Sequence, residues 1–198
     1  MVERDGAGGR RRALRVLTVC THNRTRSVMS MAMLQHGLDH RLGVGGAHVL
    51  SLGFGPEGHP AIADAVDAMR RRDLDVTGHR SRQVTGPRVD AADLILTAER
   101  DHVVKIAAAS PVAFRRAFTL PEWCERIGDD PVAGGRDLGA WMTDLSDGRG
   151  AGDYLRAEVP EVDDPTGEPA RRFEEATAEI ESMCEIVVDV LARSYAVT

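Results

Sequence analysis

Eight residues near the start of the chain combine chemistry that is hard to assemble otherwise: Cys20-Thr21-His22-Asn23-Arg24-Thr25-Arg26-Ser27. A cysteine is followed after five residues by an arginine and a serine. A loop of that length can curl so that successive backbone N–H groups point inward and form a nest for a tetrahedral anion. A helix starting at its far end adds free N–H groups and the positive end of its dipole. Arg26 offers two parallel N–H donors, a grip on oxyanions that lysine lacks. The same field favours thiolate over thiol at Cys20, and a thiolate beneath a bound oxyanion is an activated nucleophile. The Ser27 hydroxyl is placed to donate to the sulfur and ease its later departure. Candidate anion-binding residues are thus Thr21, His22, Asn23, Arg24, Thr25 and Ser27, with Cys20 and Arg26 at the chemistry.

The flanking sequence must supply the strand and helix that hold such a loop. Leu14 to Val19 is a β-branched, largely apolar run that reads as a buried strand, and Ser27 to Leu38 reads as a helix rich in Met, Ala and Leu. His48–Leu52 is a second strand, and Ala61–Arg72 a helix with Ile62, Ala65, Val66 and Met69 on one face. Ala92–Ala98 is a third strand, Glu99–Ala109 a helix, Ala113–Leu120 a fourth strand, and Pro121–Ile127 a short helix. From Glu168 onward, Phe173, Ala176, Ile180, Met183, Val187, Val190 and Leu191 recur at helical spacing and define a long amphipathic C-terminal helix. Alternating strands and helices predict an α/β fold: one three-layer domain, a four-stranded parallel twisted sheet with helices on both faces. Ligands of such sheets bind at the carboxyl ends of the strands, where Cys20 lies. The domain is read as residues 13–198. A basic tail, 1–12, is read as disordered, and an irregular insert at about 128–162 has Trp141, Leu145 and Tyr154 as isolated apolar points.

Composition narrows the classes. The 198 residues carry a net charge of −6 and 42% hydrophobic residues, which suits a globular protein and argues against general nucleic-acid binding. Three cysteines without close spacing make neither a disulfide framework nor a zinc site, so a reducing, cytoplasmic setting is expected. No apolar run reaches the roughly 18 residues of a membrane span. Cys184 falls on the apolar face of the last helix and is read as core, as is Cys124 beside Trp123 as structural.

The loop resembles that of low-molecular-weight protein tyrosine phosphatases, a family in the arsenate-reductase-like superfamily that carries Cys-x5-Arg-Ser after its first strand. The resemblance extends over about residues 14 to 195. Ser51, Gly53, Gly58 and Pro60 resemble its Ser-x-Gly loop. Gly78-His79-Arg80-Ser81-Arg82-Gln83 resembles its His-x-x-Arg-Gln segment, where His79 is read as a structural support for the loop. Ala92–Leu96 and Phe118-Thr119-Leu120 match its later strands. The resemblance implies phosphomonoester hydrolysis through a phosphocysteine on Cys20, with Arg26 on the phosphate and no metal or other cofactor. It also implies a general acid/base, the Asp of a late Asp-Pro pair. Of Asp130-Pro131 and Asp164-Pro165, Asp164 is chosen because it directly precedes the last helix. The expected substrate is a phosphotyrosine protein or a small phosphoester, with no nucleic acid or membrane partner and a monomer or weak homodimer as the working state.

Departures from the family pattern are specific. His22 replaces a usual Gly, Thr25 a frequent second Cys, and Val28 a frequent Pro. Thr166 stands where an aromatic residue often follows Asp-Pro. Asn23 is retained, a residue type that tolerates left-handed backbone. These departures keep alternatives open: an arsenate reductase using an external thiol, a phosphatase for a small metabolite, or a phosphate-binding module without turnover.

Overall fold

In the computed structural model, which describes residues 12–128 and 138–196, four parallel strands form one sheet. They are β1 (Leu14–Cys20), β2 (Ala47–Gly53), β3 (Leu94–Thr97) and β4 (Ala117–Thr119), in the order β2-β1-β3-β4. Register pairs Leu14 with Ala47 through Cys20 with Gly53, and Val16–Val19 with Leu94–Thr97. The order reverses direction at β1, so β1 and β3 diverge to opposite connections and open a crevice at their carboxyl ends.

Helices cover both faces. On one face lie α1 (Arg26–Leu42), α2 (Ala63–Arg70), α5 (Leu120–Ile127) and the long α8 (Ala170–Ala196). Their core includes Val16, Val28, Leu34, Leu94, Leu96, Phe118, Trp123, Ile180 and Leu191. On the other face lie α3 (Gly86–Asp90) and α4 (Arg100–Ala109), packed through Leu17, Val19, Ile95, Val103 and Ile106. Alternate residues of β1 therefore serve opposite cores, which is why five of its seven residues are apolar rather than every second one.

The fold class predicted from sequence is the one observed, and the main elements fall within a few residues of expectation. Two differences have clear causes. The fourth strand is only Ala117–Thr119, because Pro111–Arg116 form a 3₁₀ turn before it. In the stretch read as irregular, the described part contains α6 (Leu138–Leu145) and α7 (Ala151–Tyr154). Their apolar residues are isolated in sequence because each packs on a different partner. Trp141 meets Trp123 edge to face at 5.8 Å, and the Tyr154 hydroxyl donates to Glu122 at 2.8 Å. Arg149, 1% exposed, pairs with Glu122 and lies 4.2 Å from the Phe118 ring centre and 4.6 Å from that of Phe114. Burial of its charge is thus compensated by a carboxylate and aromatic faces. The tail before Arg12 and the Asp130-Pro131 pair lie outside the described residues.

Candidate active site

The loop from Cys20 to Arg26 joins β1 directly to α1. Asn23 takes φ 53°, the left-handed turn that bends the loop back on itself. Three contacts hold it there. Its Nδ2 donates to Ser27 Oγ at 3.0 Å, its Oδ1 accepts from the Arg82 amide at 2.8 Å, and its carbonyl lies 2.8 Å from His79 Nε2. The His79 ring thus supports the loop from outside, and its pKa is lowered chiefly by burial. Gly53 admits this close approach: a Cβ there would lie 2.7 Å from the Asn23 nitrogen and 2.9 Å from the Cys20 oxygen. With its backbone so turned, the loop's amides from Thr21 to Thr25 donate to no protein acceptor among the described residues. They are left available to an oxyanion, as a nest of N–H groups requires.

Cys20 is buried, and its Sγ lies 3.1 Å from Ser27 Oγ. Because Ser27 Oγ already accepts from Asn23, its own proton is free to point at the sulfur. Asn23 Nδ2, Ser27 Oγ and Cys20 Sγ are therefore linked to one another inside the loop, while Asn23 Oδ1 ties it to Arg82. His22 is exposed and sits against Gly55, where a Cβ would come within 2.7 Å of its Nδ1. Arg24 is half-buried, and its Nε donates to the Pro60 carbonyl at 2.8 Å, which lays the side chain along the loop after β2. Thr21 and Thr25 face other partners, described below.

Arg26 is 4% exposed and held on three sides. Nη1 donates to the Val162 carbonyl at 2.9 Å, and Nη2 lies 2.6 Å from Glu99 Oε1 and 2.9 Å from Asp164 Oδ2. Of its five N–H groups, Nε–H and one on Nη1 remain for an anion. The segment carrying Asp164 is itself pinned across the sheet's carboxyl edge. The Val162 amide donates to Ala98 O at 2.8 Å, Thr119 Oγ1 donates to Pro160 O at 2.6 Å, and the Arg100 amide donates to Glu161 at 2.8 Å. Asp164 is thus brought to the loop from 138 residues away in sequence.

Glu99 and His102 were not singled out from sequence. His102 is 1% exposed and stacks on Phe54 with ring centres 5.5 Å apart. Its Nδ1 accepts from the Glu99 amide at 3.1 Å, which places the proton on Nε2. Nε2 faces Thr21 Oγ1 at 3.2 Å, and Thr21 Oγ1 lies 3.5 Å from Glu99 Oε1. A chain of polar contacts therefore runs from His102 through Thr21 and Glu99 to Arg26. The one sequence signal was a Glu and a His three residues apart at the carboxyl end of a buried strand. Their ring and carboxylate partners come from elsewhere in the chain.

Burial first, and Arg26 after it, pull the His102 pKa down from 6.5 to about 4 against the opposing pull of Glu99. The folded protein thus binds fewer protons at this ring than the unfolded chain between those values. Its contribution is complete above about pH 6.5 and is lost as pH falls towards 4. Between pH 7 and pH 5 the expected loss is about 2 kcal/mol. Urea unfolding at the two pH values should show that difference in the wild type and a smaller one in His102→Gln. Equal differences would remove His102 as the cause.

Among the described residues no group of His, Cys, Asp and Glu side chains is arranged to hold a metal ion. The other two thiols are placed differently from Cys20. Burial pushes the Cys124 thiol up to about 12 and also raises that of Cys184, whose Sγ lies 3.9 Å from the Ser30 carbonyl within the core.

Sheet order and loop together define a doubly wound α/β protein with an anion nest closed over a buried thiol at the strand switch point. Residues 15–145 match the family model for low molecular weight phosphotyrosine protein phosphatase. A probable low molecular weight protein-tyrosine-phosphatase, EpsP of Ralstonia solanacearum, is 36% identical over 117 residues, covering 59% of this chain and 77% of that protein. A protein-arginine-phosphatase of Geobacillus stearothermophilus is 32% identical over 124 residues, covering 61% of this chain and 80% of that one. In fold, the chain is similar to a YwlE mutant from Bacillus subtilis, with a TM-score of 0.68 over 90% of this chain and 99% of that one at 21% identity. The chain belongs to the low molecular weight phosphotyrosine protein phosphatase family and is a cysteine-dependent phosphatase.

Proposed function

We propose that the protein hydrolyses phosphotyrosine in proteins through a phosphocysteine on Cys20, with Asp164 as general acid and then general base. The observation that carries this is the 2.9 Å contact between Arg26 and Asp164, which puts a carboxylate from the far end of the chain at the rim of the anion nest. In the first step the Cys20 sulfur attacks phosphorus as the ester P–O bond breaks, and protonated Asp164 gives its proton to the departing oxygen. Arg26 and the loop amides hold the three equatorial phosphoryl oxygens, so that most of the acceleration comes from placement and charge. Arg26 grips the phosphoryl group through Nε–H and the remaining Nη1–H, and the Asp164 carboxyl group leaves Nη2 to reach the departing oxygen. In the second step Asp164 takes a proton from water, which attacks phosphorus, and the S–P bond breaks to release phosphate. The Ser27 hydroxyl, 3.1 Å from the sulfur, stabilises the thiolate that leaves.

This reading takes residues 13–198 as one catalytic unit, cytoplasmic and monomeric or weakly dimeric, with the chemistry supplied by side chains alone. No helix among the described residues is long and apolar enough to cross a membrane. A second substrate has a specific observation in its favour. One relative is a protein-arginine-phosphatase, and Thr166 occupies the position where an aromatic ring would flank phosphotyrosine. Steady-state hydrolysis of a phosphotyrosine peptide, a phosphoarginine peptide and p-nitrophenyl phosphate separates the two. The expected order places the phosphotyrosine peptide above phosphoarginine in kcat/KM. The reverse order assigns the enzyme to phosphoarginine, and turnover confined to small esters assigns it to a metabolite.

A further inference from the structure

Two of the departures from the family pattern meet in space. Thr25 is the residue before Arg26, and Thr166 follows Asp164-Pro165. Their hydroxyl oxygens lie 3.2 Å apart, across 141 residues of sequence. Thr25 occupies the N-cap of α1, where a threonine hydroxyl ordinarily accepts from a free amide of the first turn. Here the side chain makes no capping hydrogen bond, although the Thr25 carbonyl still accepts from the Val28 and Met29 amides at 3.0 Å each. The helix fixes the Thr25 backbone, and the hydroxyl is turned outward to the other loop. On that loop, the Thr166 amide donates to Asp164 Oδ1 at 3.1 Å while Arg26 holds Oδ2 at 2.9 Å. Both oxygens of the carboxylate are therefore set by groups that Thr25 adjoins or touches.

We infer that the Thr25–Thr166 hydrogen bond is a latch that keeps the Asp164 loop docked on the anion loop while Arg26 is engaged with substrate. The inference rests on the reading of Asp164 as the acid. An incoming phosphoryl group takes the Nε–H and Nη1–H that remain on Arg26, and the carboxyl group leaves Nη2 to reach the departing oxygen. Once it does, it loses its partner at Oδ2. Upstream, the loop stays anchored through Val162 and Pro160. Downstream of Asp164, the Thr166 hydroxyl is the tie to the anion loop, and the Thr166 amide continues to orient Oδ1. Thr25 and Thr166 are positioning residues: they touch neither the phosphorus nor the leaving group. A second cysteine and an aromatic ring at these positions would not make this hydroxyl pair. The two replacements are thus explained together.

The readout that isolates such a role is leaving-group dependence. Phenyl phosphate, with a poor leaving group, needs the acid far more than p-nitrophenyl phosphate does. Thr25→Val and Thr166→Val are each expected to lower kcat for phenyl phosphate roughly tenfold, part of the 10²–10⁴-fold that a complete acid supplies. For p-nitrophenyl phosphate the change in Thr166→Val, which lies outside the anion loop, is expected to stay within about twofold, with KM little altered for both substrates. Thr25→Ser and Thr166→Ser should restore the rate. The double valine variant should be no slower than either single one, because the second substitution removes a partner already lost. Equal slowing of both esters, additive losses, or no rescue by serine would overturn the latch. Asp164→Ala is measured beside them. If it slows phenyl phosphate selectively and the threonine variants do not, the latch alone falls. If it shows no selectivity, the assignment of the acid falls and the latch with it.

Discussion

Replacing Cys20 with serine is expected to abolish turnover of p-nitrophenyl phosphate, by on the order of 10⁴-fold or more, while oxyanion binding survives. The reason lies in what surrounds the sulfur. Its side-chain partner is the Ser27 hydroxyl at 3.1 Å, which Asn23 Nδ2 turns into a donor. A donor stabilises negative charge as it develops on sulfur, but it takes no proton from a serine hydroxyl, whose proton is held far more tightly than that of a thiol. Serine therefore has neither the charge nor a base to create it. The anion nest is made of backbone N–H groups and Arg26, none of which the substitution touches. Binding of inorganic phosphate measured by calorimetry should thus persist while steady-state hydrolysis disappears. Hydrolysis retained above about a hundredth of the wild-type rate would remove Cys20 as the nucleophile.

The second large effect is expected at Asp164. Asp164→Ala should lower kcat for phenyl phosphate by about 10²–10⁴-fold, the range for a lost general acid, and affect p-nitrophenyl phosphate less. KM should change little, because Arg26 keeps its contacts with Glu99 and the Val162 carbonyl when the carboxylate is gone. A loss in kcat at constant KM identifies an interaction realised in the transition state. The comparison that tests the choice between the two Asp-Pro pairs is Asp130→Ala. A silent Asp164→Ala beside a slow Asp130→Ala would transfer the role.

Much of this site was legible in the chain because its parts are local. A loop of fixed length between a strand and a helix carries its own geometry, so Cys20, Arg26 and Ser27 could be placed from spacing and from the dipole of the coming helix. The conformation of Asn23 and the supporting place of His79 followed from residue type and from the motif that contains it. Asp164 is proposed as the acid through family resemblance and its position before the last helix, since nothing in its own sequence neighbourhood marks it. Glu99 and His102 went unremarked for a related reason: a glutamate and a histidine at a strand end are ordinary until their partners are known. The stretch around α6 and α7 looked irregular because Trp141, Arg149 and Tyr154 find their partners on Trp123, Phe118 and Glu122, and no local period records such contacts.

By itself, then, the sequence determined the alternation of strands and helices, the parallel sheet that alternation demands, and the eight-residue loop with its cysteine and arginine. These depend on hydrophobic period, helix capping and backbone reach, all of which act over a few residues. Tertiary structure alone decided that Glu99 and Asp164 share one guanidinium, that a buried neutral His102 stands behind Thr21, and that Thr25 and Thr166 meet. Each of those contacts joins residues separated by scores of positions, and each exists because strand order β2-β1-β3-β4 brings the carboxyl ends of β1 and β3 side by side and the β4 end beside them. A hydrogen bond is directional and short-ranged, so which side chains make it depends on that sheet edge and not on their distance along the chain.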